Sequence, residues 1–337
     1  MIREGIDQLV QGHDLTMEQA AQVMEEIMTG EATPAQWGAF VTALRLKGET
    51  PDEIAGMAQI MREKSNRIEY DGALVDTCGT GGDASGSFNV STAAAFVVAA
   101  AGLRVAKHGN RAMTSQSGSA DVLEALGVKL ELTADQVKRC IEEAGIGFMF
   151  AQAFHPAMRF VAGPRREVGI RTVFNILGPL TNPAGAKHQL LGVADASLGK
   201  KMAEVLIRLG SVHALVVSGT DKLDEISISA PTQVWEVYDG SVHEYTIKPE
   251  DFGLTTAPAG AIKGGTAAEN AATMRQVLDG KLSGPIHDVV AFNAAGALIA
   301  GNKVVSFPNA IALVNEVLAS GNALKKVDDL VRISNQV

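Results

Sequence analysis

The sequence predicts an α/β protein with a small all-helical N-terminal domain and a larger α/β domain built on a mainly parallel central sheet. Helix start signals recur through the first seventy or so residues, with no strand pattern between them. After Tyr70, short apolar runs that end in glycine-rich loops alternate with helical segments, an order typical of parallel sheets. The 337 residues are enough for two domains, which we place at 1–70 and 71–337.

The helix start signals are three capping boxes. Thr16, Thr33 and Thr50 are each followed three residues later by Gln or Glu. In such a box the two side chains satisfy backbone N–H groups that have no partner inside the helix. Pro34 and Pro51 stand at the first helical position, where the missing N–H costs nothing. The sequence therefore predicts three helices joined by short connections.

The elements of the α/β domain follow from short apolar runs. The helix expected after the first glycine loop covers Ser91–Ala101, and a later one opens at Thr133. Two further runs flank Asp239–Gly240, which predicts an antiparallel hairpin. The predicted strands are 73–75, 104–106, 148–150, 213–217 and the hairpin pair 234–238 and 242–247.

Charge and composition exclude several classes of protein. The 29 basic and 38 acidic side chains leave a net charge of −9, which disfavours nucleic acid and anionic membranes as partners. The first residues carry charges throughout, and the longest apolar stretch, Ala93–Leu103, is too short to span a bilayer. A cytoplasmic location is therefore predicted. Cys78 and Cys140 lack disulfide or zinc spacing and are interpreted as small buried residues.

A glycine-rich loop and the helix after it are a candidate phosphate site. Gly79, Gly81 and Gly82 follow a predicted strand, and Asn89–Thr92 brings an amide and hydroxyls to a helix N-terminus. Backbone N–H groups in such a loop and at a helix N-terminus bind anions. The spacing matches neither the Walker A motif nor GxGxxG. Taken alone, the pattern is equally compatible with a plain turn and a capping serine.

Two basic clusters favour an anionic small-molecule substrate. Arg104, Lys107, His108 and Arg111 lie within eight residues, and a second cluster of four arginines lies within 159–171. Both adjoin glycine turns in a protein that is acidic as a whole. The alternative is ordinary solvated surface charge, which explains the number of basic residues but not their position beside the turns.

Asp224 and Glu225 form an acidic pair in a loop that we expect to be exposed. Adjacent carboxylates suit Mg²⁺, which takes few protein ligands and shares phosphate oxygens with a substrate. A solvated turn is the alternative. The seven histidines show no zinc spacing, and all except His108 are interpreted as structural or surface residues.

Taken together, the motifs resemble the anthranilate phosphoribosyltransferases of tryptophan biosynthesis, nearly from end to end. The chain departs from many family members at Gly163–Pro164, which affects the local loop shape. The motifs are GTGGD (79–83), NVST (89–92), KHGNR (107–111), SGSADVLEALG (117–127), RRE (165–167), RTVFNILGPLTNPAG (171–185), LDEIS (223–227), GGTAAENA (264–271) and FNAAGAL (292–298).

The resemblance implies an activity and an assembly. Such an enzyme transfers the phosphoribosyl group of 5-phosphoribosyl 1-diphosphate (PRPP) to anthranilate, giving N-(5-phosphoribosyl)anthranilate and diphosphate. It implies two Mg²⁺ ions per subunit and a homodimer formed through the helical domain. Part of 155–187 is expected to return to that helical domain.

The resemblance also implies roles for individual residues. Lys107 and His108 are candidate catalytic residues, and His108 is one candidate for the proton acceptor, which stays unassigned. Anthranilate is expected at Gly79, Asn110 and Arg165, with Arg166 as an alternative to Arg165. The metal ligands are expected to be Ser91, Asp224 and Glu225. PRPP is expected at Gly79, Gly82, Asp83, Ser87, Asn89, Val90, Ser91, Thr92, Lys107, His108, Gly109, Asn110, Arg111, Ala112, Met113, Thr114, Ser115 and Ser119.

Two rival functions remain open at this point. A pyrimidine nucleoside phosphorylase shares the architecture, and Gly219–Leu223 echoes one of its motifs. A non-enzymatic relative that binds nucleic acid through basic surface is the second rival. The Arg165 segment and the NILGPLTNP motif favour the transferase over the first, and the net charge of −9 argues against the second.

Overall fold

The computed structural model describes residues 1–112, 116–258 and 260–337. The helices are α1 (Ile2–Val10), α2 (Met17–Thr29), α3 (Pro34–Lys47), α4 (Pro51–Glu63), α5 (Val90–Ala100), α6 (Ser119–Ala125), α7 (Ala134–Ala144), α8 (Ala151–Phe154), α9 (Arg159–Val168), α10 (Gly199–Arg208), α11 (Ala267–Leu278), α12 (Pro285–Ala300), α13 (Phe307–Ala319) and α14 (Asn322–Gln336). The strands are β1 (Val75–Gly79), β2 (Val105–Gly109), β3 (Ile146–Phe150), β4 (His188–Gly192), β5 (His213–Gly219), β6 (Thr232–Tyr238) and β7 (Ser241–Ile247).

The N-terminal region contains four helices, so the prediction of three was wrong. The capping boxes at Thr16, Thr33 and Thr50 are formed as expected. The additional helix, α1, has no capping side chain at its start. Its buried face consists of Ile2, Gly5 and Leu9, and it packs against α3 and α2. Tertiary packing therefore stabilises α1, and its local sequence carries no start signal.

The central sheet is mainly parallel, as predicted. Its strand order is β3-β2-β1-β4-β5-β6-β7. The strands β1 to β5 run parallel, and β6 and β7 form the antiparallel hairpin at one edge. From β1 the chain builds β2 and β3 on one side and then returns to build β4 and β5 on the other. In sheets of this kind, ligands bind beyond the carboxyl ends of the strands where the direction reverses.

Several strands extend beyond their predicted bounds. β1 begins at Val75 and β2 at Val105, and each runs to a glycine through polar residues that the sequence assigned to loops. Asp76, Thr77, Lys107 and His108 are all buried within these strands. Polar residues can occupy buried strands when partners satisfy them, and such partners come from distant parts of the chain. β4 (His188–Gly192) is absent from the prediction altogether.

The sheet faces two apolar clusters. One lies with α5, α7 and α11–α14 on one face. The other joins α1–α4 to α10 and the opposite face of the sheet. Val161 of α9 and the buried residues of 173–180 belong to this second cluster, and α9 packs against α3. Part of 155–187 thus packs with the N-terminal helices, while the boundaries 1–70 and 71–337 stay predictions.

Cys78 and Cys140 are both buried free thiols, as interpreted from the sequence. Among the described helices, none is long and apolar enough to cross a lipid bilayer.

The crossing of α2 and α4 depends on Gly56, which yields a first prediction. A Cβ at Gly56 would overlap the Met17 carbonyl oxygen. Backbone cannot move aside cheaply, so we expect Gly56→Ala to lower the free energy of unfolding by about 1–3 kcal/mol. The control is Gly38→Ala in α3, whose new Cβ meets Val168 at an ordinary 3.6 Å. Urea denaturation measures the free energy of unfolding of both variants. Equal effects of the two substitutions would contradict this account of the crossing.

Candidate active site

The carboxyl ends of β1 and β4 enclose Asp224. Gly79 ends β1 and pairs with Gly192, which ends β4. A Cβ at either glycine would overlap Asp224, its carboxylate at Gly79 and its backbone at Gly192. Asp224 Oδ2 also accepts a hydrogen bond from the Gly81 N–H at 2.7 Å. Glycine at both strand ends therefore allows the acidic loop to enter the sheet edge.

The acidic pair is not in an exposed loop, so that expectation was wrong. Glu225 is buried and Asp224 is half-buried. Burial raises the pKa of Asp224, and the neighbouring Asp83 raises it further. Burial also raises the pKa of Glu225, with Asp224 as the second cause. Like charges forced together out of water disfavour ionisation, so this position favours a cation.

A buried lysine lies beside this acidic pair. Lys107 Nζ donates to the Thr77 carbonyl and lies 3.3 Å from Ser91 Oγ. Ser91 in turn donates its N–H to Glu225 Oε1 at 3.1 Å. Burial lowers the pKa of Lys107, while the charges of Asp76 and Glu225 oppose that effect. The N-terminus of α5 thus donates to Glu225, and the charge of Lys107 acts on the same carboxyl group.

The N-terminus of α5 is held by amide side chains. Asn89 Nδ2 donates to the Ser117 carbonyl at 3.0 Å, and Asn89 Oδ1 accepts from Asn270 Nδ2 at 2.8 Å. Asn270 comes from α11 and is buried. These bonds orient the turn that presents the N–H groups of α5. The sequence offers no local signal for Asn270, because its partner is 181 residues away.

The donor set fits magnesium chemistry. The described residues contain no cluster of three or more His, Cys, Asp or Glu side chains arranged as metal ligands. Mg²⁺ commonly takes one or two carboxylates and completes its coordination with water and substrate phosphate oxygens. Asp224, Glu225 and the Ser91 hydroxyl form a small oxygen set of that kind. The carboxylates of Asp83 and Asp224 are crowded together, and a divalent cation would reduce the repulsion between them.

Two histidines meet on the other side of β1 and β2. The rings of His108 and His155 lie 5.0 Å apart between centroids. The Gly178 carbonyl faces His108 and the Thr181 carbonyl faces His155, and each carbonyl raises the pKa of the ring beside it. In both rings Nε2 is buried and has no hydrogen-bond partner among the described residues. The interpretation of His155 as an ordinary structural histidine misses this pairing.

Both imidazoles are held neutral. Burial lowers the pKa of His108 to about 3, helped by the neighbouring His155. Burial also lowers the pKa of His155 to about 4. When one ring nitrogen donates to a carbonyl, the other nitrogen of a neutral imidazole carries a lone pair. The two Nε2 atoms therefore form a pair of hydrogen-bond acceptors.

Arg165 and Arg166 differ in their surroundings. Both lie in the last turn of α9, after the short helix that ends beside His155. Arg165 is half-buried, and burial lowers its pKa. Arg166 is exposed. A partly desolvated guanidinium binds a carboxylate more strongly than an exposed one, which favours Arg165 as the residue that faces a ligand.

The first basic cluster is divided by the fold. Arg104 precedes β2 at the opposite end of the sheet and donates to the Ile141 and Glu142 carbonyls, so its assignment to this cluster was wrong. Arg111 forms ion pairs with Asp121 and Glu124. Arg104 comes directly before the first residue of β2, and Gly109 is the last residue of that strand. The length of β2 therefore separates Arg104 from the candidate site.

The remaining predicted residues line the loops after β1 and β2. Ser119 Oγ donates to the Asn110 carbonyl at 3.3 Å, and the Ala112 N–H donates to Asp121. Ser87 bridges to Lys263, and a Cβ at Gly82 would overlap the Arg171 guanidinium. The predicted residues Met113, Thr114 and Ser115 lie outside the described residues.

Comparison with known proteins identifies the family. Residues 3–65 match a model described as the glycosyl transferase family, helical bundle domain, and residues 71–324 match the family's a/b domain. The anthranilate phosphoribosyltransferase of Chloroflexus aurantiacus is 55% identical over 334 residues, which is 99% of this chain and 98% of that protein. The chain belongs to the anthranilate phosphoribosyltransferase family.

Solved structures of this family share the fold. The enzyme from Thermus thermophilus has a TM-score of 0.94 and 46% identity, covering 98% of this chain and 99% of its own. The Saccharomyces cerevisiae enzyme in complex with PRPP and Mg has a TM-score of 0.92 and 27% identity, covering 100% and 98%. A further structure of the yeast enzyme is in complex with 4-fluoroanthranilate.

The two buried imidazoles of this family member yield a second prediction. Histidine in an unfolded chain has a pKa of about 6.5. We expect ¹⁵N NMR titration to give pKa values near 3 for His108 and 4 for His155 in the folded protein. A lowered folded pKa means that the unfolded state binds more protons, so these residues should reduce stability as pH falls from about 6.5 towards 4. A midpoint near 6.5 for either residue would contradict their burial as neutral rings.

Proposed function

We propose that this protein transfers the phosphoribosyl group of PRPP to anthranilate, forming N-(5-phosphoribosyl)anthranilate and diphosphate. The observation that carries the proposal is the arrangement of two unlike half-sites at the ends of β1 and β2. One has a helix N-terminus, Lys107 and an acidic pair, which suit a metal-bound diphosphate. The other has two neutral imidazoles, which suit an uncharged amine. Membership of the family supports the same reaction.

The first half-site would hold PRPP. We assign the diphosphate to the glycine loop from Gly79 to Asp83 and to the α5 N-terminus, with Lys107 as a buried cation. The departing diphosphate carries several negative charges, and fixed N–H groups and a cation stabilise charge as it develops. Bound Mg²⁺ supplies further neutralisation of that charge. The residues that bind the metal would be Ser91, Asp224 and Glu225.

The second half-site would hold anthranilate. The Nε2 lone pairs of His108 and His155 can accept hydrogen bonds from an aromatic amine, and Arg165 can pair with its carboxylate. With a pKa of about 3, His108 is a weak base. We therefore propose that His108 orients the attacking amine and does not remove its proton. Holding the amine against the anomeric carbon supplies much of the rate enhancement.

Two finer features belong to this proposal. We propose two Mg²⁺ ions per subunit, which equilibrium dialysis with PRPP can count. We also propose a homodimer formed through the helical region, where Val10 and Leu46 expose 71% and 83% of their surface. Exposed apolar side chains on one region are typical of association surfaces. Sedimentation velocity measures the oligomeric state directly. The cytoplasmic location stays a prediction from the sequence.

A direct assay tests the function. Purified protein, PRPP, anthranilate and Mg²⁺ should give the fluorescent phosphoribosylanthranilate, and omission of any one component should abolish the signal. Phosphorolysis of thymidine would instead support a nucleoside phosphorylase. A gel shift with DNA or RNA at physiological salt would support a nucleic-acid-binding relative. Formation of no product in the complete mixture would contradict the proposal.

Charge at the acidic pair yields a third prediction. The double variant Asp224→Asn/Glu225→Gln should lower Mg²⁺-dependent turnover by at least about a hundred-fold, because several kcal/mol of charge stabilisation is lost. Metal-free stability at pH 7 should not fall, since burial already disfavours the ionised forms. The matched control is Glu69→Gln/Asp71→Asn, two exposed carboxylates. Near-normal turnover of the first variant would exclude these residues as metal ligands.

Glycine at the end of β1 yields a fourth prediction. Gly79→Ala would push Asp224 out of its position, so PRPP binding with Mg²⁺ should weaken by about ten-fold or more in calorimetry. Gly86→Ala is the control, because Gly86 has a φ of +61° but nothing within 4 Å of the added Cβ. That control carries backbone strain without the overlap. Equal losses in the two variants would show that the loop backbone, and not Asp224, decides binding.

Arg165 yields a fifth prediction. Removal of one member of a desolvated charge pair costs about 2–5 kcal/mol. Arg165→Ala should therefore lower kcat/KM for anthranilate by roughly thirty-fold to a few thousand-fold. The KM for PRPP should change far less, and Arg165→Lys should recover part of the loss because an ammonium cannot make the paired contact.

The control for Arg165 is its exposed neighbour. Arg166→Ala removes the same charge from the same helical turn and should leave kcat/KM for anthranilate within about two-fold, as is usual for exposed charges. Steady-state kinetics with each substrate varied in turn separates the effects. A larger loss from Arg166→Ala would move the acceptor contact to that residue.

A further inference from the structure

The strands β1 and β2 separate at the candidate site. In these fully described strands, main-chain pairing is limited to Val75 with Val105. By contrast, β2 pairs with β3 over five positions, and β1 pairs with β4 over five. The parted ends leave strand N–H and C=O groups that need other partners, because unpaired buried backbone groups are costly.

Side chains take the place of the missing pairs. Asp76 Oδ1 accepts the His108 N–H at 3.3 Å, and Asp76 Oδ2 accepts from Asn182 Nδ2 at 2.8 Å. Asn182 Nδ2 also donates to the Ala106 carbonyl at 2.8 Å. Both side chains are almost fully buried, at 1% and 2% exposure. Two side chains therefore bridge β1 and β2 where the ladder ends.

The pattern of donors favours an ionised carboxylate. Each Asp76 oxygen faces an N–H donor, and neither donor can accept a proton in return. Burial raises the pKa of Asp76, and the charge of Lys107 and these hydrogen bonds oppose that effect. A protonated or amide side chain would place a donor against a donor. The positions of the two donors thus explain why a carboxylate suits residue 76.

The same pair is linked to both imidazoles. Asp76 holds His108 directly through its backbone N–H. Asn182 ends the segment 178–182, whose carbonyls at Gly178 and Thr181 face His108 and His155. Asn182 Oδ1 also accepts the Ala184 N–H at 2.9 Å, which fixes the amide orientation. A shift of this segment would change which ring nitrogen of each histidine carries the proton.

We propose that Asp76 and Asn182 are positioning residues that hold β1 and β2 apart and set the orientation and tautomer of His108 and His155 for the aromatic amine. This inference rests on the proposed function for the identity of the amine. Neither residue touches substrate in this account. The hydrogen bonds of both residues act on the two rings and should affect anthranilate. Asp76 also carries a charge that acts on Lys107 in the PRPP half-site, whereas Asn182 is uncharged and should spare PRPP.

The test is Asp76→Asn, which keeps the size of the side chain and removes one acceptor. We expect kcat/KM for anthranilate to fall by about ten-fold to a hundred-fold, as for the loss of a hydrogen bond to a buried charge. Because Asp76→Asn also removes a charge that acts on Lys107, the comparison between the two substrates is made with Asn182→Ser, for which the KM for PRPP should stay within about two-fold. In ¹⁵N NMR of histidine-labelled protein, His108 and His155 should show one tautomer in the wild type and a mixture in the variant.

The control separates positioning from stability. Glu53→Gln alters another fully buried carboxyl group, which accepts N–H groups of Leu15 and Thr50 within the helical region. It should lower the melting temperature without changing the ratio of the two substrates' kinetic parameters. Asn182→Ser carries the same kinetic and NMR comparison without changing the charge beside Lys107, and it also serves if Asp76→Asn does not fold.

Three outcomes would overturn the proposal. They are equal losses for both substrates in Asn182→Ser, unchanged kinetics in both variants, and unchanged tautomers in a variant that has lost activity toward anthranilate. Absence of product with the wild-type protein would contradict the proposed function, and the NMR comparison would still decide whether Asp76 and Asn182 set the two rings.

Discussion

The parting of β1 and β2 after a single backbone pair is the constraint on which the site depends. A parallel sheet that paired fully to its carboxyl ends would close this region and bury its backbone groups in the ladder. Here Asp76, Asn182 and Lys107 satisfy those groups by side chains instead. The sheet keeps its order, and the ends of two strands become available for chemistry on both sides.

The two sides of β1 and β2 differ in charge because different residues alternate along them. Thr77 and Lys107 point toward α5, where Thr77 Oγ1 donates to the Ser91 carbonyl. Asp76 and His108 meet on the opposite side with Asn182 and His155. Successive strand residues face opposite sides of a sheet. The strands β1 and β2 thus supply an ionic half-site on one side and a neutral half-site on the other.

Burial has opposite consequences in the two half-sites. It raises the pKa of Asp224 and Glu225, so their charge is unfavourable until a cation is present. It lowers the pKa of His108 and His155, so both rings stay neutral. Strained and poorly solvated groups of this kind reduce stability and cluster at functional sites. The extensive apolar clusters on both sheet faces provide the stability that offsets them.

Local sequence determined the features that local physics controls. The capping boxes at Thr16, Thr33 and Thr50, the 234–247 hairpin and the glycine loop each depend on residues a few positions apart. The family motifs predict that Lys107, Asp224 and Glu225 belong to one site. Tertiary structure decided what depends on distant contacts: α1, β4, the division of Arg104 from Lys107, and the burial of the acidic pair. It also decided the meeting of His108 with His155 and of Asp76 with Asn182, which are 106 residues apart. Those contacts form because the loops that contain His155 and Asn182 pack against β1 and β2, and no periodicity or capping signal encodes which polar groups such packing brings together.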